Sequence, residues 1–424
     1  MPRARSLVIA LVVLVAAAAC SSGSETGTPA SGTTSPSGDP LAETVDCTPW
    51  NGVAGSQIDD VVDEATDESY ADNCLRLNQL QVIGSHNSYH RRTPDDVFEL
   101  LRTFDESLAN TLDYDHPPLA EQFDSEGVRQ IELDVFHDPE GGLYADRHIY
   151  LALGKPIESG EPALDEPGFK VLHAQDVDFN SSCLTFVECL EQVRAWSDAN
   201  PNHLPIAILV EAKADEIIDP ANLGFVKPLP IDAAALRALD AEARSVFDPE
   251  RLITPDDVRG DRASVEAAVL SGQGWPTLGE ARGKVLFLLD NEGQGDTYVE
   301  EFPGLEGAAF FPPSEPGRPE AAFVKMNDPI GDAGANTDAI AGLVRRGYVV
   351  RTRADADTVQ ARTGDAVMRD AALESGAQWV STDYATEASN PFGTGYFAAI
   401  PGGTPARCNP INTGPQCENA GLVE

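Results

Sequence analysis

A parallel α/β barrel of eight strands is the fold this sequence predicts, with an N-terminal cap, a long insertion and a wrapped C-terminal tail. Three observations predict it. Short apolar runs recur along the chain, most of them continuous rather than alternating, as expected of strands buried on both faces. Helix-like stretches separate them, which argues for a parallel sheet, and eight such runs argue for closure. The first four runs each lead into, hold or end on polar residues able to do chemistry, and a parallel barrel gathers strand ends at its C-terminal rim.

The chain of 424 residues opens outside that fold. Arg3 and Arg5 precede an apolar, small-residue stretch from Leu7 to Ala19, and Cys20 follows. Residues 1–19 read as a secretory signal, and a cysteine in that place as the lipid-anchor site of a bacterial lipoprotein. Ala17 and Ala19 also suit ordinary signal peptidase, cutting at the same place. Residues 20–45 are mostly Ser, Gly, Thr and Pro and read as a flexible tether. The protein is therefore expected to be secreted or held at the cell surface. No later run is long enough to span a bilayer.

Residues 46–424 form the expected folded domain, with the barrel core at about 78–387 and a small cap before it. The first run, 80–84, leads into Ser85-His86-Asn87-Ser88-Tyr89. The second, 128–135, carries Glu132 and Asp134, and the third, 169–173, ends on His173. An amphipathic helix is predicted over 184–200, with Leu184, Val187, Leu190, Val193 and Trp196 on one face. The fourth run, 206–211, ends on Glu211. Residues 215–279 are acidic and helix-rich, an insertion before the fifth run at 283–290. The sixth is placed at 322–327, with 308–311 as competitor. Helices at 336–346 and 364–375 flank the seventh run, 347–353, and the second ends at Gly376 before the eighth, 377–383. The tail from Ser389 is rich in Gly and Pro.

Apart from Cys20, six cysteines remain, an even number that suits disulfides in an exported chain. Sequence neighbours give the pairs Cys47–Cys74, Cys183–Cys189 and Cys408–Cys417. A zinc site is disfavoured because no CxxC occurs. The net charge of −40 excludes nucleic acid as a partner and disfavours anionic membrane surfaces. An anionic substrate needs a local cation to offset that field, and a monomer is expected.

Asn87, Glu132, Asp134 and Glu211 are oxygen donors, which suit a hard cation such as Ca²⁺ or Mg²⁺. Glu132 and Asp134 share one face of a strand, and two buried carboxylates side by side repel unless a cation lies between them. His86 and His173 are better proton carriers or phosphate stabilisers than ligands for such an ion. Each residue alone has a commonplace reading: a loop histidine, an arginine-held carboxylate pair, a core histidine, a rim ion pair. Together, on four separate runs, they point to one site. Cations near the rim are few. Lys213 shares a face with Glu211 and is the first candidate to hold a substrate phosphate, with Arg351 and Arg353 next. The rival reading of the two arginines is ion pairing with Asp355 or Asp383. Tyr89, Tyr384, Phe392 and Phe397 could line a lipid path, although core packing is the commoner fate of such residues.

Gly84-Ser85-His86-Asn87-Ser88-Tyr89, Glu132-Leu133-Asp134, Leu172-His173 and Glu211 together resemble, in order and spacing, the catalytic set of calcium-dependent phosphoinositide-specific phospholipases C. The resemblance is to the bacterial secreted calcium-dependent branch, whose catalytic domain is a TIM-like barrel, and it spans most of residues 78–387. It implies that Asn87, Glu132, Asp134 and Glu211 bind Ca²⁺. It implies that His86 stabilises the pentacovalent phosphate and that His173 protonates the departing diacylglycerol. Glu132 or Glu211 would deprotonate the inositol 2-hydroxyl, giving inositol 1,2-cyclic phosphate from phosphatidylinositol in membranes. The regulatory modules of the eukaryotic enzymes have no counterpart here. So few cations fit phosphatidylinositol better than its polyphosphorylated forms. A related glycerophosphodiester or sphingomyelin-type phosphodiesterase, and a non-catalytic ligand-binding lipoprotein, are the alternatives.

Overall fold

The computed structural model describes residues 67–403, 405–414 and 417–424. The proposed signal, anchor, tether and Cys47 lie outside these residues. The strands, in chain order, are β1 (Leu80–Ser85), β2 (Gln130–Phe136), β3 (Lys170–Val171), β4 (Ile206–Lys213), β5 (Val285–Leu289), β6 (Phe310–Phe311), β7 (Phe323–Lys325), β8 (Val349–Arg353), β9 (Trp379–Thr382) and β10 (Ala406–Cys408).

Eight of them form a parallel sheet in the order β6-β5-β4-β2-β1-β9-β8-β7. A parallel bridge from Pro313 to Phe323 links the two ends and closes the ring. The expected barrel is present, but one strand of the expectation was misplaced. The third run forms only the two-residue β3, antiparallel to β2. It has no room in the ring, because β2 and β4 pair directly from Gln130↔Ala207 to Phe136↔Lys213. The count of eight is restored because both competitors for the sixth position, β6 and β7, are strands. Both are short, so each run alone looked like a choice between two.

The β1–β2 seam is as thin as the β6–β7 closure. Its single pair is Gly84↔Gln130, and a Cβ on Gly84 would sit 1.9 Å from the Gln130 side chain. Beyond that pair, β3 lies along the free edge of β2, and β10 pairs antiparallel with the start of β1, Leu80↔Cys408. The tail therefore completes the sheet as well as wrapping it. The Cys183–Cys189 and Cys408–Cys417 disulfides form as the spacing predicted.

Helix Phe186–Ala199 starts at Thr185, whose side chain accepts from Glu188 N–H, and buries Phe186, Leu190, Val193 and Trp196. The insertion supplies helices Ala233–Val246, Pro255–Arg259 and Val265–Leu270 between β4 and β5. Helices Ala335–Arg345 and Val367–Glu374 flank β8. Apolar residues of the strands and surrounding helices make one large core, which accounts for the continuous apolar runs. Among the described residues, no helix is long and apolar enough to cross a membrane.

Candidate active site

Two strands supply the carboxylates. Glu132 and Asp134 alternate along β2 with Leu133 and so face the same way, and Asp134 is the register partner of Glu211 on β4. Oxygens of Glu132, Asp134 and Glu211 lie within 4.8 Å of one another. Glu132 and Asp134 are buried and Glu211 is partly open. The β1 loop is tied to the same place: Ser88 N–H donates to the Glu132 carbonyl at 2.9 Å, and Glu132 N–H donates to Ser88 Oγ at 2.8 Å. This brings in Asn87, a buried residue at φ +47. Its Nδ2 donates to Tyr114 Oη at 3.0 Å, and its Oδ1 has no hydrogen-bond partner.

The charges at this point are unbalanced. Burial raises the Glu132 pKa to about 7, although Arg351 pulls the other way. Burial also raises the Asp134 pKa well above its ordinary value, against the pull of Lys213. The Lys213 ammonium lies 3.2 Å from Asp134 Oδ2, and Oδ1 has no hydrogen-bond partner among the described residues. A cluster of oxygen donors with orphaned lone pairs fits a hard divalent cation. Glu132, Asp134, Glu211 and Asn87 Oδ1 could hold one.

The histidines flank the carboxylates, each backed by an aspartate. His86 Nδ1 lies 2.9 Å from Asp383 Oδ1, just after β9. His173 Nδ1 lies 2.8 Å from Asp178 Oδ2. A carboxylate only accepts, so Nδ1 carries the hydrogen in both rings and Nε2 is left for other work. Burial lowers the His86 pKa well below its ordinary value, and Arg353 and Arg351 add to this. Burial also lowers that of His173, with Asp178 opposing.

The basic residues are less free than the sequence suggested. Lys213 Nζ sits 3.2 Å from Asp134 and 3.5 Å from Glu211; burial disfavours its charge, but the two carboxylates outweigh this and raise its pKa. Arg351 is buried and gives its guanidinium to Glu132, Asn327 and Ser381. The anticipated pairing with Asp355 or Asp383 is not the one it makes. Arg353 does reach Asp383, at 3.7 Å, and lies 3.4 Å from His86 Nδ1. Tyr89 and Tyr384 are fully buried.

Sequence reading missed Asp178, Asp383 as a partner of His86, His90 and Tyr114. Asp178 and Asp383 lie in loops where aspartate is commonplace, so only the three-dimensional pairing distinguishes them.

Carboxylates able to share a divalent cation, beside two aspartate-backed histidines on the rim of a parallel barrel, mark a metal-dependent barrel enzyme. The family model "Phosphoinositide phospholipase C, Ca2+-dependent" matches residues 75–410, and the chain belongs to that family. It is an enzyme of the phospholipase C class, and its cofactor is Ca²⁺.

Among solved structures, the chain is similar to a calcium-dependent phosphoinositol-specific phospholipase C from Pseudomonas sp., at 16% identity and TM-score 0.48, over 81% of this chain and 99% of that one. It is also similar to a Ca²⁺-dependent phosphatidylinositol-specific phospholipase C from Streptomyces antibioticus, at 19% identity and TM-score 0.45, over 75% and 98%. A third is the phosphatidylinositol-specific phospholipase C from Listeria monocytogenes, at 13% identity and TM-score 0.40, over 78% and 97%. No curated protein sequence matches the chain.

Proposed function

We propose that this enzyme cleaves phosphatidylinositol in membranes to diacylglycerol and inositol 1,2-cyclic phosphate, by attack of the inositol 2-hydroxyl on the neighbouring phosphorus. The observation that carries the reading is the convergence of Glu132, Asp134 and Glu211 oxygens within 4.8 Å, with their partners Arg351 and Lys213 acting electrostatically on His86 and His173. Asn87, Glu132, Asp134 and Glu211 would hold Ca²⁺, which when bound lowers the pKa of the hydroxyl and offsets developing negative charge.

Glu132 or Glu211 accepts the proton of the 2-hydroxyl. The O–P bond to inositol forms as the P–O bond to diacylglycerol breaks. His173 gives the proton on Nε2 to the departing oxygen, with Asp178 holding the ring's other nitrogen. As the imidazolium, which the arriving phosphate's negative charge favours, His86 donates from Nε2 to the equatorial phosphate oxygens while its Nδ1–H is held by Asp383. Lys213 and Arg353 lie close enough to these groups to draw in the phosphate. Arg351 acts at one remove by fixing Glu132. The attack is intramolecular, so the substrate brings its own nucleophile into place.

Export and a lipid anchor on Cys20 would place the enzyme at the outer face of a membrane. The test is ³¹P NMR of the protein with phosphatidylinositol vesicles, in calcium and then in excess EGTA. A cyclic phosphate signal that needs calcium is expected. Release of non-cyclic inositol phosphate from the outset would overturn the mechanism, and no turnover in calcium would overturn the substrate.

A further inference from the structure

We infer that His90 is a positioning residue that serves both the metal-ligand asparagine, Asn87, and the acid histidine, His173, through one buried set of contacts. The inference rests on the roles proposed above for those two residues.

His90 lies in the loop leaving β1, three residues after Asn87, and is fully buried. Its Nε2 donates to Asp178 Oδ2 at 2.9 Å. The same oxygen accepts from His173 Nδ1 at 2.8 Å, so one carboxylate oxygen serves both rings. Thr93 Oγ donates to the other oxygen. The face of the His90 ring stacks on Tyr114, with centroids 4.1 Å apart and planes at 21°. Tyr114 Oη accepts from Asn87 Nδ2 at 3.0 Å, which sets the amide so that Oδ1, the atom able to ligate a cation, keeps its lone pairs. The His90 N–H also donates to the Asn87 carbonyl at 2.8 Å, closing the turn in which Asn87 takes its positive φ.

The imidazole thus has two separable tasks. Its ring supports Tyr114 and so the orientation of Asn87. Its Nε2–H shares Asp178 with His173. Deleting that donor leaves Asp178 to accept more strongly from His173, which stabilises the imidazolium. The groups that act electrostatically on His173 are Asp178, His90, Lys213 and His86.

Two variants split the tasks. His90→Phe keeps a flat ring on Tyr114 and removes the donor. His90→Gln keeps a donor and removes the ring. Calcium affinity is measured by titration calorimetry without substrate, and the kcat–pH profile on phosphatidylinositol vesicles at saturating calcium. His90→Phe is expected to bind calcium as the parent does and to move the limb of the profile set by His173 alkaline, by roughly half to one unit. His90→Gln is expected to keep the profile and to weaken calcium binding by about tenfold, as loss of an outer support for a ligand does. Tyr114→Phe, which keeps the stack and removes the acceptor of Asn87, should behave as His90→Gln. It keeps the test decisive should either His90 variant fail to fold. Variants that change both properties together, or neither, overturn this assignment of two tasks to His90. Asn87→Ala and His173→Ala are run beside them. If Asn87→Ala binds calcium normally or His173→Ala turns over normally, the role assignment beneath the inference is overturned instead.

Discussion

Asp134 and Glu211 are register partners on β2 and β4, and the ammonium of Lys213 lies 3.2 Å from one carboxylate and 3.5 Å from the other. A cation built into the chain therefore already occupies part of the field that calcium would enter. Lys213→Met is expected to raise calcium affinity about tenfold or more, since a unit positive charge a few ångströms from a divalent ion is strongly repulsive at the effective dielectric of a protein. It should also lower the melting temperature in EGTA, where nothing then balances Asp134. Calorimetry and thermal melts with and without calcium check this. Weaker calcium binding by the variant would show that the lysine organises the site instead of opposing the ion.

Asp383 fixes the ring of His86. Asp383→Asn, with an amide free to present either nitrogen or oxygen, should lower kcat roughly 10²-fold or more while leaving calcium affinity unchanged. A change confined to KM would mean that the pair serves binding rather than turnover.

Glu424 closes the opposite end of the barrel. It pairs with the buried Arg129 guanidinium, to which Oε1 lies at 2.6 Å, and accepts from Leu204 N–H at 2.7 Å. Glu424→Ala leaves that guanidinium without its counter-charge. A loss of about 2–4 kcal/mol is expected in urea denaturation, with turnover intact under native conditions. A loss below about 0.5 kcal/mol would put this pair among ordinary surface ion pairs.

Glu242 gives the pH dependence. Burial raises its pKa to about 7 from 4.5, against the Phe169 N–H and Lys170, which favour the charge. Between those values the folded state holds a proton that the unfolded chain has released, so this residue's contribution falls as pH rises through that window. Glu242→Gln should therefore be more stable than the parent at pH 8, by about 1 kcal/mol after allowance for partial exposure, and equal to it near pH 5. A pH-independent difference between the two melting curves would contradict the raised pKa.

The barrel was legible because strands buried on both faces leave continuous apolar runs, and helix Phe186–Ala199 because its apolar spacing is regular. Glu132 and Asp134 could be assigned to one face from period two alone. β3 misled because Phe169-Lys170-Val171-Leu172 is as apolar as a barrel strand, and only the direct pairing of β2 with β4 excludes it. The partners of the site side chains were out of reach for a different reason. Asp178 and Asp383 meet their histidines across loops, and Arg351 meets Glu132 across the barrel, 219 positions away in sequence. No local pattern encodes such distances.

The strand that seals the thin β1–β2 seam comes from almost the last residues of the chain, since β10 lies against β1. Synthesis runs in one direction, so β1 emerges early, and beyond its single pair with β2 it must wait for β9 and β10 with open hydrogen-bonding edges. Such an edge is prone to pair with other chains. Assembly of the barrel is thus held back until nearly the whole polypeptide is available, and a chain cut short before Ala406 would leave the start of β1, Leu80–Val82, uncovered on one side.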